Sequence, residues 1–488
     1  MVAIKINNFG PSVSADIDLK PLTVFVGPSN SGKSYAAILA YTLLNTISRR
    51  IARPTGFRFI RRGLRLRRAF DGRPWPRRVN EDLKNWLMND TNDQNTFKHV
   101  NLPRSVRSEI EKSVIDRVIA SNSYLADEIT RCFANQLRGL TRFQKRRSGF
   151  QFEVIGGSEE WRWRITLERG QLKWTAIFVD LDKPSYDLDD AALQVSSPPN
   201  QDDIAGSNFD LREIQSSFVT DAIEYLFEEV GTDSYYLPVA RSGVLQSHRV
   251  IASSLVRRSR RAGLEEVSIP TLSGLLTDFI SHLLTLDADS KTDLSTVVDE
   301  LEREVLTGQV VVSPDFTDYP EFVYRKNGVE YPMAGASSMV PELAPVVMLL
   351  RSMIERGETL IIEEPESHLH PDSQRKMAHI VAKIVGMGVR TIVTTHSDYF
   401  LEELGNIVTY SGLSKGRKAE FPSLKDSDLA EKDVGLYLFE PRSRPVGTHV
   451  RSIPVSAALG LQHPDTTEVA EQLYDDMVRL RDALGSNS

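Results

Sequence analysis

The sequence predicts an α/β fold, and three observations carry that expectation. An apolar run, Leu22–Val26, leads through Gly27-Pro-Ser-Asn-Ser-Gly-Lys-Ser34 into the amphipathic segment Tyr35–Leu44, which reads as strand, glycine-rich turn and helix. Further on, Thr359–Ile362 and Thr391–Thr395 are short apolar strands flanking a helical stretch at 373–385, the βαβ spacing of a parallel sheet. Between these regions, Phe150–Ile155, Trp161–Leu167 and Leu172–Val179 alternate apolar and polar residues. Gly-Gly and Arg-Gly turns separate them, as in an antiparallel meander.

The remaining elements follow from the same patterns. Val2–Ile6 and Val13–Leu19 read as strands that precede Leu22–Val26. Residues 81–140 have helical periodicity, with Ile110, Val114, Ile115 and Val118 recurring at helical spacing. Helices are expected at 211–230, within 250–306 and near 338–355; strands are expected at 309–313 and 321–325, with one at 235–243 that runs into a turn. At 488 residues the chain exceeds one ordinary core, so two or three domains or lobes are expected.

Composition narrows the class. A hydrophobic content of 41% and a charged content of 26% are those of a soluble globular protein. One cysteine, Cys132, excludes an intramolecular disulfide framework and fits a reducing cytosol. No basic segment followed by an apolar one opens the chain, and the longest nearly apolar stretch, Leu343–Ile354, contains Arg351. The expectation is a soluble, cytoplasmic protein with no membrane contact.

The chemistry begins at residues 27–34, which fit G-x-x-x-x-G-K-[ST] between a strand and a helix. Gly27 and Gly32 let the backbone wrap so that its N–H groups point at phosphate oxygens, and the helix N-terminus adds partial positive charge. Gly27, Pro28, Ser29, Asn30, Ser31, Gly32, Lys33, Ser34 and Tyr35 are therefore read as nucleotide-binding residues. Lys33 is expected on the β/γ-phosphates and the Ser34 hydroxyl on Mg²⁺.

The strand at 359–362 delivers Glu363-Glu364-Pro365-Glu366 at its C-terminal end. Paired carboxylates there suit an NTPase: Glu363 is assigned to the metal and Glu364 to the general-base or water-positioning role. A solvated helix cap would use the same residue types, and the loop at 27–34 favours the chemical reading. His396, in Thr394-Thr395-His396-Ser397, ends the next apolar strand and would face the ligand crevice of a parallel sheet. Spacing alone leaves a structural histidine and a γ-phosphate donor equally open. His368 and His370 stand two apart with no third nitrogen or sulfur ligand at useful spacing, which argues against zinc. Asp426-Ser-Asp428 sits in a polar Lys/Ser segment and reads as a turn.

Together the motifs resemble ABC-type ATPases of the RecF/SMC/OLD-like group. The resemblance rests on the 27–34 loop, Ala336-Ser337-Ser338-Met-Val-Pro-Glu342, Ile361-Ile-Glu-Glu-Pro-Glu-Ser-His-Leu-His-Pro371 and Thr394-Thr-His-Ser397, and covers roughly 1–48 and 309–410. It implies a P-loop NTPase of ABC-ATPase type: an α/β mixed sheet with an antiparallel β-subdomain and large helical insertions. The family's ATP- and Mg²⁺-bound heads dimerise head to tail. Carried over, Ser337 and Ser338 match the loop that touches the γ-phosphate held by the other protomer, and His396 matches the switch histidine. The catalytic set is then Glu364, His396 and Lys33, with Ser34 and Glu363 on the metal. Met339 stands where the family has a glycine, and Gln246 is the candidate for the family's Q-loop glutamine. About eighty residues follow Tyr410, too few for the Toprim nuclease domain of OLD proteins, so any nuclease is expected to be a separate effector subunit.

The resemblance implies a nucleotide-gated scaffold or sensor in bacterial antiphage defence, or alternatively a RecF-like DNA-binding repair ATPase. The net charge of −7 averages over opposite patches. Residues 49–78 carry twelve arginines against Asp71, with Phe57, Phe59, Phe70 and Trp75 interleaved, whereas 180–210 carry eight aspartates against Lys183. The arginine tract could grip DNA phosphates and stack bases, or dock on an acidic segment of a neighbour; both stay open. The expected organisation is 1–48 as the P-loop part of the head, 49–148 as an arginine-rich and helical insertion, and 149–249 as antiparallel β and helix. Residues 250–308 form a second helical insertion, 309–440 the rest of the head and 441–488 a C-terminal extension.

Overall fold

The computed structural model describes residues 2–52, 74–89, 102–142, 149–156, 159–181, 211–259, 272–287, 290–313, 320–458, 460–461 and 464–485. Arginine-tract positions 53–73 and acidic-segment positions 182–210 lie outside the described residues. The principal strands are β1 (Val2–Phe9), β2 (Ser12–Leu19), β3 (Leu22–Val26), β4 (Gln151–Gly156), β5 (Trp161–Glu168), β6 (Gln171–Val179) and β7 (Ser234–Leu237). They continue as β8 (Gln309–Ser313), β9 (Glu321–Lys326), β10 (Val329–Pro332), β11 (Thr359–Glu363), β12 (Arg390–Thr394), β13 (Val434–Ser443) and β14 (Val446–Ile453). The principal helices are α1 (Lys33–Thr46), α2 (Arg77–Asn89), α3 (Arg104–Ala120), α4 (Asn122–Phe133), α5 (Leu211–Phe227) and α6 (Arg241–Ser259). They continue as α7 (Gly274–Leu284), α8 (Ser295–Glu300), α9 (Met339–Ser352), α10 (Pro371–Gly386), α11 (Asp398–Ser411) and α12 (Pro464–Gly485).

The chain divides into two compact units. One comprises Met1–Phe9, Thr42–Thr130 and Asn135–Asp233. It holds the antiparallel run β6-β5-β4-β1, so the alternating segments at 150–180 do form a meander. Its core is aromatic. Trp161 and Trp163 lie 4.6 Å apart by ring centroid and both pack on Phe227, while the Trp161 indole N–H donates to the Leu226 carbonyl. Val106, Ile110, Val114 and Val118 of α3 are buried at four-residue spacing, one face of the helix the periodicity predicts.

The other unit comprises Gly10–Tyr41, Arg131–Ala134 and Ser234–Ser488. Its strands run β2-β14-β13-β3-β12-β11-β7. At the centre β13, β3, β12, β11 and β7 are all parallel. All five residues of β3 are buried, and so are all five of β11. Helix α9, buried from Val340 to Leu350, contributes to the unit's large apolar cluster together with residues of α10 and α11. A separate three-stranded antiparallel sheet, β8-β9-β10, includes the strands expected at 309–313 and 321–325.

Two local expectations change. The strand at 235–243 ends at Leu237, and Arg241-Ser-Gly243 is the first turn of α6 instead of a loop. Pro238 has no N–H to extend the ladder, which stops the strand there. The hairpin β13–β14 adds two strands to the sheet and crosses position 440, where the sequence divides head from extension. Val434–Phe439 is continuously buried, as a strand covered on both faces should be.

Helices α10 and α11 are joined by a polar cluster. Glu403 accepts from Arg375 Nε (2.9 Å) and Asn406 Nδ2 (3.2 Å), and its Oε1 lies 2.8 Å from His379 Nε2. Burial pushes the Glu403 carboxyl up, but these hydrogen bonds outweigh it and hold the pKa at about 2. The depressed value means that its stabilisation is complete above the ordinary glutamate pKa of 4.5 and is lost as pH falls toward 2. Glu403→Gln should therefore lower stability at pH 7 by about 2 kcal/mol. In urea unfolding at a series of pH values, its deficit against the parent should shrink between pH 4.5 and 2; a constant deficit would show that the charge is not the cause.

Candidate active site

Three neighbouring parallel strands, β3, β12 and β11, end at the same edge of the sheet, and each carries part of one polar cluster. The loop after β3 turns through left-handed backbone at Gly27 (φ 129°), Asn30 (φ 61°) and Gly32 (φ 102°). Glycine is required by space as well. A Cβ at Gly27 would sit 2.4 Å from the Phe439 carbonyl oxygen, and one at Gly32 would sit 2.5 Å from Pro11 Cγ. Pro28, Ser29 and Asn30 are exposed at the mouth, whereas Ser31 is buried with its hydroxyl unpartnered. The Lys33 ammonium folds back and donates to the carbonyls of Gly27 (2.7 Å) and Pro28 (3.0 Å). The Tyr35 ring is committed to packing, against Gly10 and 5.3 Å from the Phe133 ring.

At the end of β11, Glu363 is 7% exposed, and burial raises its pKa. The Ser34 and Tyr236 hydroxyls and the Val239 amide face its carboxylate and oppose that shift. Glu363 Oε1 is nevertheless buried without a hydrogen-bond partner. A buried, unsatisfied carboxylate oxygen beside a serine hydroxyl is a donor set that fits a hard divalent cation. Among the described residues no group of three or more His, Cys, Asp or Glu side chains could hold a metal. A cation on Ser34 and Glu363 would thus complete its shell with phosphate oxygens and water, as Mg²⁺ commonly does.

Glu364 adopts left-handed backbone (φ 44°), and its N–H donates to the Thr394 carbonyl at 2.8 Å. Its carboxylate is partly exposed and accepts from Ser367 Oγ at 3.1 Å. His396 Nε2 lies 3.6 Å from Glu364 Oε1. That is too long for a direct bond, and a single water oxygen can contact both atoms. Burial and the Lys33 charge lower the His396 pKa while Glu364 raises it, and the balance leaves the imidazole neutral at pH 7.

Two further glutamates and an arginine hold this edge together. Glu366 is buried and accepts from Thr395 Oγ1 (2.5 Å) and from the His396 backbone N–H (2.9 Å), fixing the turn that carries the histidine. Arg241 is fully buried and donates to the carbonyls of Glu363 (2.5 Å), Glu364 (3.0 Å), Pro238 (3.1 Å) and Glu342 (3.2 Å). Its guanidinium also pairs with the Glu342 carboxylate at 2.9 Å, and Glu342 accepts from the Ser242 N–H. Desolvation lowers the Arg241 pKa, and Glu342, Glu366, Glu363 and Glu364 push it back up. Sequence reading passed over Arg241. Its signal was a cation placed just beyond the buried, apolar Tyr235-Tyr-Leu237 strand.

The other expected residues lie outside this bonded group. Ser337 and Ser338 are exposed at the start of α9, one turn before Glu342, and Ser338 makes no side-chain cap bond. Gln246 is exposed on α6. His370 caps α10, its Nδ1 accepting from the Asp372 N–H at 3.3 Å, and His368 is an exposed residue with φ 62°. Asp426 has φ 63° in a polar turn.

Comparison with known proteins gives a compatible frame. Residues 210–401 match the family described as AAA ATPase domain, a span that includes Arg241, Glu363, Glu364 and His396. No curated protein matches the chain. Among solved structures, the chain is similar to an Smc head bound to the C-winged helix domain of ScpA (10% identity, TM-score 0.38, covering 94% of this chain and 99% of that one). It is also similar to the SMC head domain from Thermotoga maritima (12%, 0.34, 93% and 98%). A third likeness is the Smc head with an extended coiled coil bound to the C-terminal domain of ScpA from Pyrococcus furiosus (10%, 0.38, 98% and 100%). Among the described residues no helix is long and apolar enough to cross a membrane.

Two substitutions test the geometry. Arg241→Met leaves Glu342 buried without its cation and should cost about 3–5 kcal/mol in urea unfolding. Adding Glu342→Leu removes the unpaired carboxylate and should recover part of that stability, the remainder staying lost with the Arg241 bonds to buried carbonyls. Equal stability of the single and double variants would remove the pair from its assigned role. Gly27→Ala, forced against the Phe439 carbonyl, should abolish binding of a fluorescent ATP analogue.

Proposed function

We propose that the chain is a Mg²⁺-dependent ATPase that dimerises head to tail on ATP and works as a nucleotide-gated scaffold or sensor for a separate effector. The observation that carries the hydrolytic part is the convergence of the Lys33 loop, Glu363, Glu364 and His396 on adjacent strand ends. The AAA ATPase match over 210–401 supports the same reading. Gly27–Ser34 binds the phosphates, and Lys33 exchanges its two loop carbonyls for β/γ-phosphate oxygens. Ser34 and Glu363 would hold Mg²⁺, which would supply positive charge to offset the phosphates. Glu364 takes the proton of the attacking water, and neutral His396 orients that water or donates to the γ-phosphate.

The exposed Ser337–Ser338 edge of α9 supports an ABC-type head-to-tail arrangement, in which it meets nucleotide bound by the second copy. Closing and opening of such a pair would be the signal passed to the effector, in this reading a nuclease of bacterial antiphage defence. That last step rests on the resemblance of the motifs to OLD-like ATPases.

Lys33→Ala removes charge-assisted bonds worth about 1.5–3 kcal/mol each, so ATP affinity should fall at least tenfold in a direct binding assay. Glu364→Gln should keep ATP binding, lose turnover and accumulate the ATP-bound dimer in mass photometry. Hydrolysis at the parent rate by Glu364→Gln would mean that the base is another group. A mass gain with duplex DNA, weakening steeply with salt, would favour the RecF-like alternative; a co-purifying nuclease subunit without a DNA shift would favour the effector reading.

A further inference from the structure

Helix α12 turns large apolar side chains to the outside. Leu473, Tyr474, Met477 and Leu480 are 66%, 64%, 36% and 67% exposed. A leucine left in water forgoes about 1.5–3 kcal/mol of burial, and here several share one helix. Their spacing is informative. Ala470, Leu473, Met477, Leu480 and Leu484 follow at steps of three, four, three and four residues. A 3.5-residue repeat is the seam of two supercoiled helices; a helix laid on a globular core uses a wider stripe with a 3.6-residue period.

The flanking charges select the partner. With Ala470 and Met477 at a, and Leu473 and Leu480 at d, Asp476 falls at g and Arg481 at e. In a parallel, in-register pair, g faces the e position five residues later on the other helix. Asp476 then meets Arg481 of a second copy, and two-fold symmetry makes the contact twice. An antiparallel pair sets g against g and e against e and loses both contacts. We propose that α12 docks on α12 of a second copy of this chain as a short parallel coiled coil. This inference stands on α12 alone and is independent of the ATPase reading. Such a seam tethers the copies, so that any other contact between them forms at high effective concentration.

The chain has one native cysteine, Cys132, and it is buried, so an introduced cysteine reports on its own position. Full-length Leu473→Cys protein, without nucleotide and under mild oxidant, should form covalent dimer at least tenfold faster than Asp475→Cys, which lies at the outward f position. Adding Asp476→Arg to Leu473→Cys should slow cross-linking severalfold, and adding Arg481→Asp to that chain should restore it. These side chains are exposed, so the substitutions leave the fold intact, which circular dichroism checks. Equal rates at 473 and 475, or indifference to the charge reversals, would overturn the proposal. Loss of ATPase activity in Glu364→Gln has no bearing on it.

Discussion

The buried pair of Arg241 and Glu342 is the constraint on which the site depends. One guanidinium, with no access to water, bonds four backbone carbonyls, two of them belonging to Glu363 and Glu364. Buried carbonyls are costly to leave unpaired, and of these the Glu364 carbonyl also accepts from the Ser367 N–H at 3.0 Å. Arg241 satisfies them together and so sets the path by which the chain leaves β11. An ion pair in such a place adds little net stability against an apolar replacement; its value lies in fixing geometry. The left-handed backbone of Glu364 is held by that grip on one side and by the Thr394 carbonyl on the other.

The same pair joins places that are distant in sequence. Arg241 begins α6, Glu342 lies in the first turn of α9, and the two carbonyls end β11. Ser337 and Ser338 stand one turn before Glu342. The α9 start and Glu364 are thus linked by one buried side chain. Glu366 does the equivalent for His396, binding the turn that positions it. Glu364 and His396 are thus each fixed from behind.

Much of this was legible in the residues. The β3–loop–α1 unit, the meander at 150–180 and the β11–α10–β12 crossover were readable because each has its own periodicity and punctuation, set by local backbone physics. Glu363, Glu364 and His396 were visible as polar groups at the ends of apolar runs. Arg241, Glu342 and Tyr236 were not singled out, because their role comes from which strands become neighbours, and register is invisible in a single segment. The β13–β14 hairpin was missed for a related reason. Val434–Phe439 is a short apolar run that could belong to any buried element until β3 is seen to need a second partner. The arginine and aspartate tracts were legible as charge alone.

The position of β3 has a consequence for how the protein is made. Its five buried residues are made well before its neighbours on both sides, β12 and β13, which lie hundreds of residues further along the chain. At roughly 5–20 residues per second, the strand waits on the order of half a minute for them on the ribosome. Throughout that interval Leu22-Thr-Val-Phe-Val26 is an apolar strand with both edges unpaired, the form most open to wrong pairing. The backbone at Gly27 lies against the Phe439 carbonyl, and Phe439 is made later still.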